Sequence, residues 1–289
     1  MDEWGLTHPA GRRDGRLITK SGIEELGSAL VSDRLGLVTT RIGTLAYQSS
    51  FDTEKHIGEV PINVSLFYNE GFNQAIKAMK DTFLAGLGIG DLVAIAFEGV
   101  KLGGVIIPPG IVGLATLSHI VVCGILLRAG ISVDSRFGGI LQIQNQEALR
   151  FVHLIEYAGC SLDPAEAFIA SKMTSVSKAA KDGNGKLLAS FCEIPAIARS
   201  DTEAILKELE AAGIKRLVMM GRIGEPVCQI PVMANRFGIV CADGLNPVAA
   251  AMEVGIKVVN YAMSGIIDFG KLRHFKDCQS IGRQPCYAC

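Results

Sequence analysis

The sequence predicts an α/β fold made of two related α/β units from an internal duplication, joined by a helical connector. Three observations predict it. Strand-like and helix-like stretches alternate along the chain, as in layered α/β folds. Their landmarks recur in the same order at a period of about 125 residues, far too long for a solenoid repeat. The composition supports a large core: 49% of the 289 residues are apolar and 20% are charged, which excludes wholesale disorder.

The repeat is read from ordered landmarks. From Gly58 to Ile143 the chain runs GEVPINVSLF, a helical NQAIKAMKDTFLAG, DLVAIAF, IIPPGIV, RAGI and GGILQI. From Gly185 to Phe269 it runs GKLLASFCEI, a helical DTEAILKELEAAG, KRLVMMG, CQIPV with GIV, EVGI and SGIIDF. Ile107-Pro108 and Ile230-Pro231 stand 123 residues apart, Gly130-Ile131 and Gly255-Ile256 125, and Gly139-Ile140 and Gly265-Ile266 126.

Taken in order, residues 1–19 read as a residual linker. The first unit, 20–143, opens with a helix over Lys20–Leu30 and a strand over Leu35–Thr40. Asn69 or Asn73 opens its next helix and Gly86 closes it, while Pro108-Pro109-Gly110 marks a turn. The connector, 144–183, reads as two helices: FVHLIEYAG, then a longer one starting near Asp163-Pro164. In the second unit, 184–275, Ser200 or Asp201 caps a helix that Gly213 ends. Asn246 caps another, with Pro247 at its first position and Gly255 past its end. Residues 276–289 form a Cys-containing tail.

Composition excludes several functions. The net charge is −1, against a free-standing nucleic-acid binder, and aromatics are only 6%, against a stacking platform for single strands. Leu102–Leu127 carries no Asp, Glu, Lys or Arg and is long enough to span a bilayer, but Pro108-Pro109-Gly110 cuts it. Val105-Ile106-Ile107, Ile111-Val112 and Ile120-Val121-Val122 read instead as buried elements of the core. MDEWGLTHPAGRRDGR has no apolar core for a signal peptide, so the expectation is a cytoplasmic protein with reduced thiols and no membrane span. Of eight cysteines, five lie in apolar stretches as buried small side chains. Cys286 and Cys289 form a CxxC without a second pair, so the tail predicts no structural metal site.

No catalytic motif stands out. Gly86-Leu87-Gly88-Ile89-Gly90 follows a helix and precedes a strand, the reverse of a dinucleotide fingerprint. The five histidines show no ligand spacing; His119 and His153 read as hydrogen-bonded structural residues. What remains is small-molecule binding. Two strand–turn–helix junctions occupy equivalent places, Ala115–His119 and Asp243–Pro247, and helix N-termini favour anions. Thr116 and Ser118 supply hydroxyls at one. Gly244 and Asn246 permit close approach at the other. Facing units would form a cleft, where a dicarboxylate would meet these residues and an arginine such as Arg136 or Arg222. An α/β enzyme acting on a small anionic metabolite is the alternative, but it needs a catalytic pair that the sequence does not display. A purely scaffolding protein is a third reading.

The segments GRLITKSGIEELGSALVSDRLGLVTTRIG, SVDSRFGGILQI, EALRFVHLIEYAGCSLDPAEAFI, SKMTSVSKAA and CADGLNPVAAAMEVGI with NYAMSGIIDF resemble the effector domain of the NrpR family, archaeal repressors of nitrogen-assimilation genes. The resemblance spans roughly residues 14–275. It implies a non-enzymatic regulator without a cofactor, acting as a dimer, whose effector is 2-oxoglutarate. Many members carry an N-terminal winged helix-turn-helix. Here about 19 residues precede the first predicted helix, too few for one, and Arg12, Arg13 and Arg16 cannot supply DNA affinity alone. The resemblance therefore implies the form without its own DNA-binding domain. Such a form works with a helix-turn-helix-bearing paralogue and does not bind DNA directly.

Overall fold

The computed structural model describes residues 2–9, 15–23, 37–214 and 217–278. Two short strands, β1 (Thr7–Pro9) and β2 (Arg16–Ile18), pair near the N-terminus. Helix α1 (Leu37–Gln48) leads to β3 (Glu59–Tyr68), α2 (Asn69–Leu84) and β4 (Leu92–Ala96). A small hairpin, β5 (Lys101–Leu102) with β6 (Val105–Ile106), precedes β7 (Ile111–Leu117) and α3 (Ile120–Arg128). Strands β8 (Asp134–Gln144) and β9 (Glu147–Glu156) form a hairpin, followed by α4 (Pro164–Ala170) and α5 (Val176–Asp182). The second half comprises β10 (Gly185–Pro195), α6 (Arg199–Ala211), β11 (Leu217–Met220), β12 (Arg236–Ala242) and α7 (Asn246–Glu253). It ends with β13 (Val258–Asp268), β14 (Arg273–His274) and α8 (Phe275–Cys278).

The duplication is written into the sheet register. Ile62 through Tyr68 pair with Leu117 back to Ile111, and Ala189 through Pro195 pair with Ala242 back to Arg236. The outer neighbours repeat as well: Gly265 pairs with Ile62, and Gly139 with Ala189. A one-residue slip would turn every side chain to the opposite face, so agreement over such runs reflects one inherited pattern.

The two halves exchange their last strands. One sheet has the order β13-β3-β7-β4-β14 and the other β11-β12-β10-β8-β9. β8, which ends the first repeat, lies in the second repeat's sheet; β13, which ends the second, lies in the first's. The helices follow, with α2 packing on α7 and α3 on α6. Each repeat therefore leaves its own sheet through α3 or α7. The two related units are interlocked through their β-ladders.

Two cores result, each drawn from both sheets. One joins Phe67, Val112, Leu114, Val93 and Ile95 to Leu187, Ala189, Phe191 and Val240, with Met79 of α2 and Val248 of α7 between them. The other joins Ile62, Val64, Ala115 and Leu117 to Ile194, Phe237 and Ile239, with Ile125 of α3 and Leu209 of α6. Continuous apolar strands such as Leu92–Ala96 fit this arrangement because both faces are covered.

Several expectations change. The predicted helix FVHLIEYAG is strand β9 up to Glu156, ending in a 3-10 turn at Tyr157–Gly159. Asn145 and Gln146, both at positive φ, make the two-residue hairpin turn that folds β9 back on β8. The long connector helix is two short ones, α4 and α5. The strand expected over Leu35–Thr40 is helical from Leu37, because Val38, Ile42, Leu45 and Ala46 form one buried stripe. The rest of that strand and most of the Lys20–Leu30 helix lie outside the described residues, although 20–23 are helical. Ile120-Val121-Val122 opens α3. Helix α6 begins at Arg199, so Ser200 and Asp201 sit inside its first turn. The Pro108-Pro109-Gly110 turn is present, with Gly110 at φ 73°. Among the described residues no helix is long and apolar enough to cross a membrane.

Candidate functional site

The two strand–turn–helix junctions meet between the halves, and they are built alike. The Ser118 N–H donates to the Pro61 carbonyl at 2.9 Å; the Asp243 N–H donates to the Leu188 carbonyl at 3.0 Å. Each side chain then accepts from the amide two residues on, Ser118 Oγ from Ile120 at 3.4 Å and Asp243 Oδ1 from Leu245 at 2.8 Å. The junctions touch directly. A Cβ on Gly244 would lie 1.8 Å from the Leu117 carbonyl oxygen, so glycine permits backbone contact there. The groove expected between the junctions is thus closed in this arrangement.

The sequence-selected residues fall into three groups. Thr116, Ser118, Gly244 and Asn246 come together at this seam, and all four are buried. Asn246 is fully engaged: its Oδ1 accepts from the Leu188 N–H at 2.8 Å, and its Nδ2 donates to the Leu87 and Leu188 carbonyls at 2.8 and 2.9 Å. It begins α7 rather than capping it, with Leu245 at the cap position. Arg136 lies on β8, where its Nη1 is 3.2 Å from Oε1 of the buried Glu193. Arg222 stands on a surface loop, its side chain 82% exposed and 3.8 Å from Glu225.

The structure adds residues that the sequence reading did not select. Asn63 pairs with Thr116 across β3 and β7, so both point to one face of the sheet. Asn63 Oδ1 accepts from the Met263 N–H at 2.9 Å. Its Nδ2, the Thr116 Oγ1 and the His119 Nε2 are buried without a hydrogen-bond partner among the described residues. A carboxamide inside the otherwise mostly apolar run VPINVSLF, which also holds Ser65, was the available signal for Asn63. His119, expected as a hydrogen-bonded structural residue, is buried, with Nδ1 3.5 Å from Asp243 Oδ2 and its ring stacked near Tyr157. His153, expected to be similar, is exposed on the edge strand β9.

Acidic groups surround this seam. Asp163 caps α4 by accepting from the Ala165 N–H at 2.8 Å. Burial, reinforced by the nearby Asp243 charge, pushes its carboxyl up to about 7. Burial also raises Glu166, which accepts the Ala262 N–H of β13. Tyr157 is raised well above the ordinary phenol range by the same cause. Cys123, Cys192, Cys228 and Cys241 are buried thiols, and burial raises each of them.

An open cavity of about 730 Å³ lies beside the seam. Its walls include Leu87 after α2, Ala179 of α5, Leu187 of β10 and Ala242 of β12. The Leu87 carbonyl bound by Asn246 links the cavity wall to the second junction.

The family model for NrpR regulatory domains NRD1 and 2 matches residues 35–274. The chain is 36% identical over 273 residues to a global nitrogen regulator, NrpRI, of Methanosarcina mazei, covering 94% of this chain and 84% of that protein. It is 31% identical over 256 residues to the global nitrogen regulator NrpR of Methanococcus maripaludis, covering 88% of this chain but 44% of that protein. A nitrogen repressor-like protein from Methanococcus jannaschii shares the fold at a TM-score of 0.69 and 24% identity, over 82% of this chain and 98% of that one. The extent of these matches and the duplicated, strand-exchanged architecture agree: the chain belongs to the NrpR regulatory-domain family, a family of nitrogen regulators.

Proposed function

We propose that this chain is a 2-oxoglutarate-responsive subunit regulating nitrogen-assimilation genes, dimeric, and working with a helix-turn-helix-bearing paralogue rather than binding DNA directly. The observation carrying the effector reading is the set of buried, unpartnered polar groups at the first junction: Thr116 Oγ1, Asn63 Nδ2 and His119 Nε2. An unsatisfied buried polar group costs about 1–3 kcal/mol. A carboxylate oxygen is a strong acceptor for the Thr116 hydroxyl and the Asn63 side-chain N–H. Asp163, holding its proton up to about 7, lowers the negative charge opposing an anion there.

The seam is closed by the Leu117–Gly244 contact, so the ligand favours an arrangement in which the junctions part. It acts through the difference in its affinity for the two arrangements, and each 1.4 kcal/mol of difference shifts the equilibrium about tenfold. Isothermal titration of the full chain tests this. Saturable 2-oxoglutarate binding, weakened in Thr116→Val and Asn63→Leu, supports the reading. Absence of heat and of thermal stabilisation at millimolar 2-oxoglutarate overturns it. Pull-down of a helix-turn-helix paralogue, released by 2-oxoglutarate, tests the partner.

A further inference from the structure

The 730 Å³ cavity has a chemistry unlike the seam. Its described lining mixes apolar side chains (Ala179, Leu187 and Ala242 buried, Met219 half-buried) with polar groups that include Gln146. Among the described residues its charged lining is one acid, Glu147, and one base, Lys181, both exposed. They come from different elements, the start of β9 and the last turn of α5. Neither forms an ion pair with the other, or with any other group among the described residues. The chain after the 16-residue α2 forms another wall at Ala85, Gly86 and Leu87. A helix C-terminus carries about half a negative charge and favours a cation.

These features oppose a dianion. A dicarboxylate entering here meets Glu147 and a helix C-terminus, with Lys181 alone in its favour. A zwitterion meets complementary charges for its ammonium and its carboxylate, while its side chain lies against Ala179, Leu187, Met219 and Ala242. The volume falls within the range of pre-formed small-molecule sites. The wall is also held firmly: Glu253, at the end of α7, accepts the Val176 and Ser177 N–H groups of α5 at 2.6 and 2.9 Å and the Thr174 hydroxyl at 2.8 Å. The cavity therefore touches α2 and α5 directly, and α7 through Glu253 and Asn246.

We propose that this cavity is a second small-molecule site, distinct from the seam, which binds a free α-amino acid with a bulky apolar side chain. Glu147 and the end of α2 receive the ammonium group, Lys181 receives the carboxylate, and the apolar walls receive the side chain. Because α7 carries the second junction at its N-terminal end, occupancy here is coupled to the seam.

Titration of the full chain with L-leucine, L-methionine and L-phenylalanine tests the proposal, with glycine, 3-phenylpropionate and L-phenylalaninamide as controls. At least one bulky amino acid is expected to bind saturably, whereas glycine and the two analogues lacking one charge bind at least fivefold more weakly. Glu147→Gln and Lys181→Met, both surface changes, are expected to weaken amino-acid binding about tenfold while leaving 2-oxoglutarate titrations unchanged. Failure of all three amino acids to bind at millimolar concentration overturns the proposal, as does binding indifferent to both substitutions. Mutually exclusive binding of 2-oxoglutarate and an amino acid, with both lost in Lys181→Met, overturns the claim of two sites. Loss of 2-oxoglutarate binding alone in Thr116→Val bears on the seam and leaves this site standing.

Discussion

The two junctions descend from one template, and they have diverged in opposite directions. The second, around Asp243–Asn246, satisfies its polar groups: Asp243 caps Leu245, and Asn246 makes three hydrogen bonds to the backbone of Leu188 in β10 and of Leu87 after α2. The first, around Thr116–His119, leaves Thr116 Oγ1 and His119 Nε2 without partners among the described residues, with Asn63 Nδ2 beside them. Ser118 makes only a long bond of 3.4 Å where Asp243 makes one of 2.8 Å. The second copy is built as a clamp. The first retains hydrogen-bonding capacity at a cost to stability, which is the pattern expected where structure has yielded to binding. Substitutions at the two junctions should therefore behave differently, and that difference is measurable.

The largest effect belongs to Gly244. Any side chain there enters the Leu117 carbonyl, so Gly244→Ala must push the halves apart or distort both turns. Overpacking in a rigid interior costs about 1–3 kcal/mol and sometimes more, and contact with backbone puts this site at the upper end. A loss of about 3 kcal/mol of unfolding free energy, read from a lowered urea midpoint, is expected. A variant as stable as the parent would show that the junctions are not in contact.

Asn246→Ala comes next. It leaves the Leu188 N–H and carbonyl without their side-chain partner and frees the Leu87 carbonyl inside the protein. A loss of about 2–3 kcal/mol is expected from stranded buried groups. Asn246→Asp retains the acceptor but removes both donations and buries a charge, so it should be no better. Equal stability of Asn246→Ala and the parent would remove the distinction between clamp and binding site.

The sequence showed the duplication because landmark spacing survives in the strands that hold the register. It did not show the exchange of β8 and β13, because periodicity reports which residues face a core and not which sheet a strand enters. Residues 151–159 mimicked a helix, with Phe151, Leu154 and Ile155 at helical spacing. The turn at Asn145-Gln146 was the better signal, since two positive-φ residues bring β9 against β8. Four of the six selected site residues lie at the seam, for the simple reason that equivalent strand–helix turns of an interlocked pair meet near its axis. The acidic surroundings were hidden: Asp163, Asp243 and His119 are far apart in the chain, and only folding puts them side by side.

Asp163 gives a prediction in pH. Its folded carboxyl holds a proton up to about 7, against 3.8 for the ordinary group. Between those values the folded state binds more protons than the unfolded chain, so stability must fall as pH rises through that window. The contribution is complete below the unfolded value and is lost as pH passes the folded one. From pH 5 to pH 8 the loss is on the order of 2 kcal/mol. Asp163→Asn keeps a capping acceptor for the Ala165 N–H and removes the titration. Urea denaturation at both pH values should find the variant close to the parent at pH 5 and more stable at pH 8. The same downward slope in both proteins would assign the titration elsewhere.

The smallest stability effect, and the sharpest contrast with Asn246, is Thr116→Val. The buried Thr116 hydroxyl has no partner, so an isosteric methyl removes a desolvated polar group without stranding another. The variant should lie within about 1 kcal/mol of the parent, on the stabilised side. Arg222→Ala, on an exposed loop, should also leave stability nearly unchanged. The two are separated by ligand binding. Thr116→Val should weaken 2-oxoglutarate binding, because the hydroxyl is one of the groups that the ligand would engage, whereas Arg222→Ala should leave it intact. If Thr116→Val instead destabilises the chain as much as Asn246→Ala, the first junction is a structural clamp like the second. The asymmetry on which effector binding at the seam depends would then be absent.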